Sequence, residues 1–283
     1  MEALVDLHTH SHHSDGLLAP AELVARAALR NVQVLALTDH DTTAGLSEAR
    51  AACAGANIGF VDGVEVTAGW RGQELHVVGL GVDPQSPALQ DHLAAIVNLR
   101  RERIAAIRAK LQRLARFAAL DPARAVLESS AVPTRTHVAR AIAGAGLADS
   151  VQDAFDRWLG RGRQGHVPQE WPSLAGAVAA IRAAGGEAVL AHPHRYKLSG
   201  GALRNLCGEF RDCGGAALET SLPALSPNDA ARLASLARQF GLAGSAGSDF
   251  HEPGQRWRPL GRFAKLAEGV EPLLPRLRVT GKK

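Results

Sequence analysis

The histidines constrain this chain more than any other residue type. Of its 12 histidines, half recur in motifs that close short apolar runs. His8 and His10 stand in V-D-L-H-T-H, His40 in A-L-T-D-H-D, His76 in E-L-H-V-V-G, His192 in V-L-A-H-P and His251 in G-S-D-F-H. Asp15, Asp39, Glu65 and Asp249 fall among them. Imidazole and carboxylate without thiolate suit Mn, Fe or Zn. Ligands arriving from many strand ends of one sheet predict a multinuclear hydrolytic centre.

The apolar runs predict strands over Leu4–Leu7, Val32–Thr38, Ile58–Val66, Leu75–Leu80, Ala188–Ala191, Ala216–Thr220 and Ala243–Ala246. Helical patterns separate most of them: Ala21–Arg30, Ala44–Ala54, Leu174–Ala184, Gly201–Cys213 and Pro227–Phe240. Such alternation predicts a parallel sheet with helical crossovers. Site residues at the C-terminal ends of the strands point to a barrel rather than an open sheet. The rhythm breaks at about residues 84–167, where Ile104, Ile107, Leu111 and Leu114 recur at helical spacing. That stretch reads as an inserted helical subdomain covering the active site, with the barrel domain in 1–83 and 168–283. Its cations, Arg100, Arg101, Arg103, Arg108, Lys110, Arg113 and Arg116, read as a solvated helix face rather than a nucleic-acid surface. From Glu252 onward the chain is rich in Pro and Gly and reads mostly as loop.

A length of 283 residues suits one large α/β domain or a barrel with an insertion. Aromatics are only 4% against 46% hydrophobic residues overall, so the core must be built from Ala, Leu and Val. Cys53, Cys207 and Cys213 are scattered and odd in number, which fits a reduced, cytoplasmic protein. The run from Ala3 to Leu7 is too short for a signal peptide, and no window predicts a membrane span. The net charge of +4 is compatible with an anionic substrate.

Each motif has a plain reading of its own. Residues i and i+2 of an extended chain point the same way, so H-T-H puts two imidazoles on one side; alone, it is as compatible with a structural pair. His76 inside an apolar strand reads alone as a core residue. Asp39 either ligates or accepts the free N–H of a ligand histidine. Glu65 ends a strand where its carboxylate can bridge two cations. Asp249 and His251 repeat the i, i+2 arrangement. Only the recurrence of these placements makes metal the common explanation.

The assembly resembles the PHP superfamily, named for its polymerase and histidinol phosphatase members. The resemblance is carried by H-T-H, S-D-G at Ser14–Gly16, T-D-H-D, E-V-T at Glu65–Thr67, E-L-H at Glu74–His76, A-H-P and G-S-D-F-H. It implies an α/β fold, a distorted (β/α)7 barrel holding up to three divalent metals, with Mn2+ expected. The implied ligands are His8, His10, Glu65 and Asp249 for one metal, Glu65, His76 and His192 for a second, and Asp15, His40 and His251 for a third, with His12 or His13 competing with Asp15. Within the family, the chain is similar to the branch of 3′,5′-nucleotide bisphosphate phosphatases and the related 5′-to-3′ exoribonuclease. That likeness rests on Pro133–Arg140, Leu159–Arg163 and Ala191–Tyr196, with Thr136 standing where the branch implies proline.

The chemistry is coherent with phosphate ester hydrolysis, because the ester's anionic oxygens repel an incoming nucleophile and cations relieve that repulsion. Glu65, Asp249 and His194 are the expected catalytic residues; His194 is expected to contact phosphate or protonate the leaving oxygen. Arg135 is the expected anchor of a second phosphate, because guanidinium matches phosphate oxygens in pairs, with Arg195 and Arg163 beside it. The expected substrate is a small nucleotide, most simply a nucleoside 3′,5′-bisphosphate losing its 3′-phosphate, with short 5′-phosphorylated RNA as the alternative. No membrane and no obligate protein partner are implied. The rival classes are a metal-dependent amidohydrolase and a PHP module that binds without catalysis.

Overall fold

The structure of the chain, a computed structural model, describes residues 4–117 and 119–281. The first three and last two residues of the expected barrel segments, including the start of the Ala3–Leu7 run, lie outside the described residues, as does Ala118 of the insertion. The strands are β1 (Val5–Asp6), β2 (Val34–Leu37), β3 (Gly59–Trp70), β4 (Gln73–Leu80), β5 (Glu187–Leu190), β6 (Ala217–Ser221) and β7 (Ala243–Ala246). They form one sheet in sequential order. Helix α1 (Pro20–Leu29) connects β1 to β2, and α2 (Leu46–Gly55) connects β2 to β3. The sheet curls into a barrel whose seam lies between its first and last strands. There the Leu7 N–H donates to the Ala246 carbonyl at 3.0 Å and the Asp249 N–H to the His8 carbonyl at 2.8 Å.

The strands are not all parallel, which corrects the sequence-based expectation. β4 runs antiparallel to both β3 and β5, while the other neighbours are parallel. The cause is local. A parallel return needs a crossover of a dozen or more residues, and only Arg71 and Gly72 separate β3 from β4. Both adopt positive φ, 49° and 74°, as a tight hairpin turn requires. The hairpin also carries β3 to Trp70, beyond the Val66 expected, because Thr67–Trp70 pair with Gln73–His76.

Alternation along the strands divides the core. Val34 and Ala36 join Val61, Val78, Val189, Ala191, Ala217 and Ala243 in one cluster filling the barrel. Leu35 and Leu37 face the other way, against Leu23, Ala27, Ala49 and Phe60. Small side chains suit a narrow barrel interior, which explains why so few aromatics suffice.

Between β4 and β5 the chain is helical: α3 (Pro87–Leu111), α4 (Pro122–Ser129), α5 (Arg135–Gly144) and α6 (Val151–Ala154), then α7 (Leu174–Ala183) leading into β5. α3 belongs to two cores. Leu89, Leu93 and Ile96 pack on the barrel, whereas Ile104, Ile107 and Leu111 pack with Phe117, Val138, Ile142 and Leu159. Its cations are not a uniform solvated face. Arg100 and Arg103 are buried and paired with Asp41 and Glu74. Charges are buried only where paired, and here carboxylates from β4 and from the turn after β2 meet the helix. The remaining helices, α8 (Gly200–Asp212) and α9 (Pro227–Phe240), flank β6. Among the described residues no helix is long and apolar enough to cross a membrane.

The seam leaves no room beside His8. A Cβ at Gly247 would lie 2.4 Å from the His8 Cβ and 2.9 Å from its backbone nitrogen. Gly247→Ala is expected to cost about 1–3 kcal/mol by overpacking, read as a lower urea midpoint at unchanged slope. A wild-type midpoint would show that the seam yields.

Candidate metal centre

The sequence delivers its ligand candidates to one end of the barrel by extending four strands past their ladders. After β1, Thr9 turns its hydroxyl to the Ala36 carbonyl at 2.6 Å, so His8 and His10 face the opposite way. Their Nε2 atoms lie 3.1 Å apart. After β2, His40 bridges to Glu65 as a parallel pair, and the Asp41 N–H donates to the Glu65 carbonyl at 2.9 Å. The reversed β4 still contributes: Thr67 pairs with His76, so His76 sits diagonally across from Glu65 on the same face. His192 follows β5, and Asp249 and His251 follow β7.

Glu65 is the hub. It is fully buried, and its Oε2 lies 3.3 Å from the Nε2 of both His8 and His10 and 2.9 Å from His40 Nδ1. Its Oε1 lies 3.0 Å from His76 Nδ1 and 3.0 Å from His192 Nε2. Asp249 Oδ1 lies 3.3–3.5 Å from His8, His10 and His251, while its Oδ2 is held by Arg195 and, at 3.0 Å, by Arg258. Asp15 Oδ1 lies 3.3 Å from His251 Nε2 and 3.7 Å from His40 Nε2. His12 and His13 instead lie against each other, their rings tilted by 35°.

Three groups of donor atoms gather within 4.8 Å: His8, His10, Glu65 and Asp249; His10, Asp15, His40 and His251; and His40, Glu65 and His76. The first matches the grouping implied by the resemblance. His10 is added to the third implied set, and His40 rather than His192 joins Glu65 and His76. A cation fits these donors on direct grounds. Asp15 Oδ1, His40 Nδ1, Glu65 Oε2 and His76 Nδ1 are all buried without a hydrogen-bond partner. Such groups are costly unless something satisfies them, and their lone pairs converge.

The charges are strongly coupled. Burial would raise the Glu65 pKa, but His40, His76 and His8 outweigh it and hold the carboxyl well below the usual range. Asp15 and Asp249 are likewise held low against their burial, the first chiefly by His40 and His251, the second chiefly by Arg258 and Arg195. Burial would lower His10, yet the Asp249 and Glu65 carboxylates beside it bring it up to about 9. His192, dominated by burial, falls to about 4.

The remaining candidates divide by position. A cleft is lined by Asp15, His40 and His76 together with Arg100, Arg103, Thr134 and Arg135. Glu74 holds Arg135 at 3.2 Å, Arg103 at 2.8 Å and the Trp171 N–H at 3.0 Å. Arg195 sits on Asp249. His194 is half-buried, with a pKa lowered by burial and then by Arg195. Arg163 is exposed on the loop after α6, outside the residues that line the cleft. Asp39 neither joins the donor groups nor bonds a ligand histidine directly. It accepts from the Ser11 N–H and hydroxyl and from the Ser14 hydroxyl, shaping the loop that presents Asp15.

Sequence reasoning missed three participants. Glu219, inside β6, bonds His8 Nδ1 at 2.7 Å. Asp41 accepts from Thr67 and Arg100, tying α3 to the strand beside Glu65. Arg258 braces Asp249. A glutamate amid the apolar residues of β6 was a usable signal; Arg258, in a loop, offered none.

A barrel with a buried cluster of imidazoles and carboxylates at its strand ends defines the class: a metal-dependent hydrolase. The PHP domain model matches residues 6–159. The 5′-3′ exoribonuclease Rnm of Escherichia coli (strain K12) is 41% identical over 270 residues, covering 95% of this chain and 92% of the relative. The 3′,5′-nucleoside bisphosphate phosphatase of Chromobacterium violaceum is 40% identical over 271 residues, covering 96% of this chain and 95% of the relative. A solved structure from Chromobacterium violaceum, named an amidohydrolase with bound sulfate and no metal, superposes with a TM-score of 0.89 at 38% identity, covering 97% of this chain and 95% of that one. The chain belongs to the PHP family and is a metal-dependent phosphoester hydrolase. That sets aside the amidohydrolase and non-catalytic classes, whatever name the solved structure carries.

Because the fields around His8 and His10 favour their protonated forms up to high pH, a cation must displace those protons. Mn2+ binding to stripped protein is therefore expected to release protons and to weaken as pH falls from about 8 to about 6. Calorimetry in buffers of different ionisation enthalpy measures both; an affinity independent of pH would contradict the ligand assignment.

Proposed function

We propose that the chain removes the 3′-phosphate of nucleoside 3′,5′-bisphosphates, such as adenosine 3′,5′-bisphosphate, giving the 5′-mononucleotide and inorganic phosphate. The observation that carries this reading is one cleft lined both by metal-site donors, Asp15, His40 and His76, and by the guanidinium groups of Arg103 and Arg135. A substrate with two separate phosphates needs both kinds of partner. The Chromobacterium violaceum relative's name supports the same substrate class.

In this reading His8, His10, Asp15, His40, Glu65, His76, His192, Asp249 and His251 hold up to three divalent cations. Mn2+ suits a set of imidazole and carboxylate donors without thiolate. Bound there, the cations supply Lewis acidity, neutralising the ester oxygens and acidifying the attacking water. Glu65 and Asp249 balance that charge. Arg195 and Arg258 hold one Asp249 oxygen and leave the other facing the histidines. Arg135 exchanges its bond with Glu74 for the phosphate that stays. His194, kept neutral by burial and Arg195, is better suited to contact phosphate than to protonate the leaving oxygen. Arg195 is the remaining phosphate contact, whereas Arg163, exposed outside the cleft, is not placed to make one. Residues 84–167 act as a helical subdomain covering the site.

The test is to incubate Mn2+-loaded protein with adenosine 3′,5′-bisphosphate and with 5′-phosphorylated RNA and to identify the products. Release of the 3′-phosphate as the faster reaction is expected. Faster release of nucleotides from the RNA would reassign the chain to the activity named for the Escherichia coli relative.

Arg135→Ala gives the second check. It removes a charge-assisted contact worth roughly 1.5–3 kcal/mol, about tenfold to over a hundredfold in kcat/KM. A nucleoside 3′-monophosphate never makes that contact. The ratio of bisphosphate to monophosphate kcat/KM is therefore expected to collapse in the variant; an unchanged ratio would place the anchor elsewhere.

A further inference from the structure

Glu219 is a buried carboxylate beside the centre that the proposed chemistry does not use. It lies within β6, between β5 and β7, and is 1% exposed. No arginine or lysine pairs with it among the described residues. Instead its two oxygens take one N–H each from different parts of the centre. Oε1 lies 2.7 Å from His8 Nδ1, and Oε2 accepts the backbone N–H of His192 at 2.5 Å. The first bond fixes the ring of His8, so that Nε2 faces Glu65 and Asp249. The second falls where the backbone most needs holding. His192 has φ 29° and ψ 53°, a conformation disfavoured for a residue with a Cβ, yet the one that brings its Nε2 to Glu65.

We propose that Glu219 is a positioning residue whose single carboxylate couples the ligands delivered by β1 and β5, setting the orientation of His8 and the turn of His192 together. A carboxylate is required for this. Two donors face it, so both of its ends must accept. Glutamine keeps the size but presents an N–H to one of them. Aspartate keeps both acceptors but falls a methylene short. The proposal rests on the metal-site reading above.

The experiment measures Mn2+ binding by titration calorimetry on metal-stripped wild type, Glu219→Gln and Glu219→Asp, with circular dichroism to show that each is folded. Loss of such a partner to a ligand histidine weakens metal affinity by about 10- to 100-fold, and that is the expected result in folded Glu219→Gln. In Glu219→Asp a weakening is expected too, and it carries the test if the glutamine variant does not fold. The long-range 15N spectrum of the proteins loaded with diamagnetic Zn2+ adds a second readout, in which the His8 ring of wild type shows Nδ1 protonated and the variants lose that preference. Wild-type affinity and stoichiometry in a folded variant would overturn the proposal alone and reduce Glu219 to a packing role. No Mn2+ binding by wild type would overturn the metal reading itself, and the proposal with it.

Discussion

One carboxylate organises this molecule. Glu65 has no access to water and has five imidazoles within about 3.3 Å. A buried anion is tolerable only with compensation on every side. The compensation here comes from β1, from the segment after β2, from β4 and from the turn after β5. None of these elements can shift without uncovering it. The small-residue barrel interior, the tight seam at Gly247 and the left-handed backbone at Asp41, His192 and Asp249 all serve that convergence. Strained φ values at such positions persist because the surrounding bonds over-determine them.

The helical insertion is tied to the same hub by charge rather than by apolar contact alone. Arg100 reaches Asp41 at 2.6 Å and the Thr67 hydroxyl at 2.6 Å, while Arg103 reaches Glu74. Asp41 and Glu74 neighbour His40 and His76 by one and two residues. The strands that carry metal-site histidines therefore also carry the sockets for α3. Movement of that helix would be felt at the centre.

The sequence made the barrel legible because buried strands read as short apolar runs whatever their direction. The same property hid the reversal of β4: direction is written in the two residues Arg71 and Gly72, not in the strand. The ligand candidates were legible because imidazoles and acids are conspicuous after apolar runs. The pairings among them were not, since His40 and His10 each stand between two groups of donors. The cations of α3 misled for a related reason. A helical pattern shows which residues share a face, but only the fold shows that Asp41 and Glu74 wait opposite Arg100 and Arg103.

The reversed strand also sets where the insertion takes root. β4 runs back down the barrel, so the chain leaves Leu80 at the end remote from the metal-site residues, where the Asp83 N–H bonds the carbonyl of Ala184. Helix α3 must then climb the barrel before anything beyond it can reach the metal-site residues. Its 25 residues, at 1.5 Å each, span about 37 Å. The helix is thus a ruler fixed at the far end, and its length sets the height at which α5 presents Arg135. A deletion of one turn would lower that guanidinium by about 5 Å at nearly the same bearing. The placement of Arg135 beside Glu74 is thus set by a helix whose root lies at the far end of the barrel.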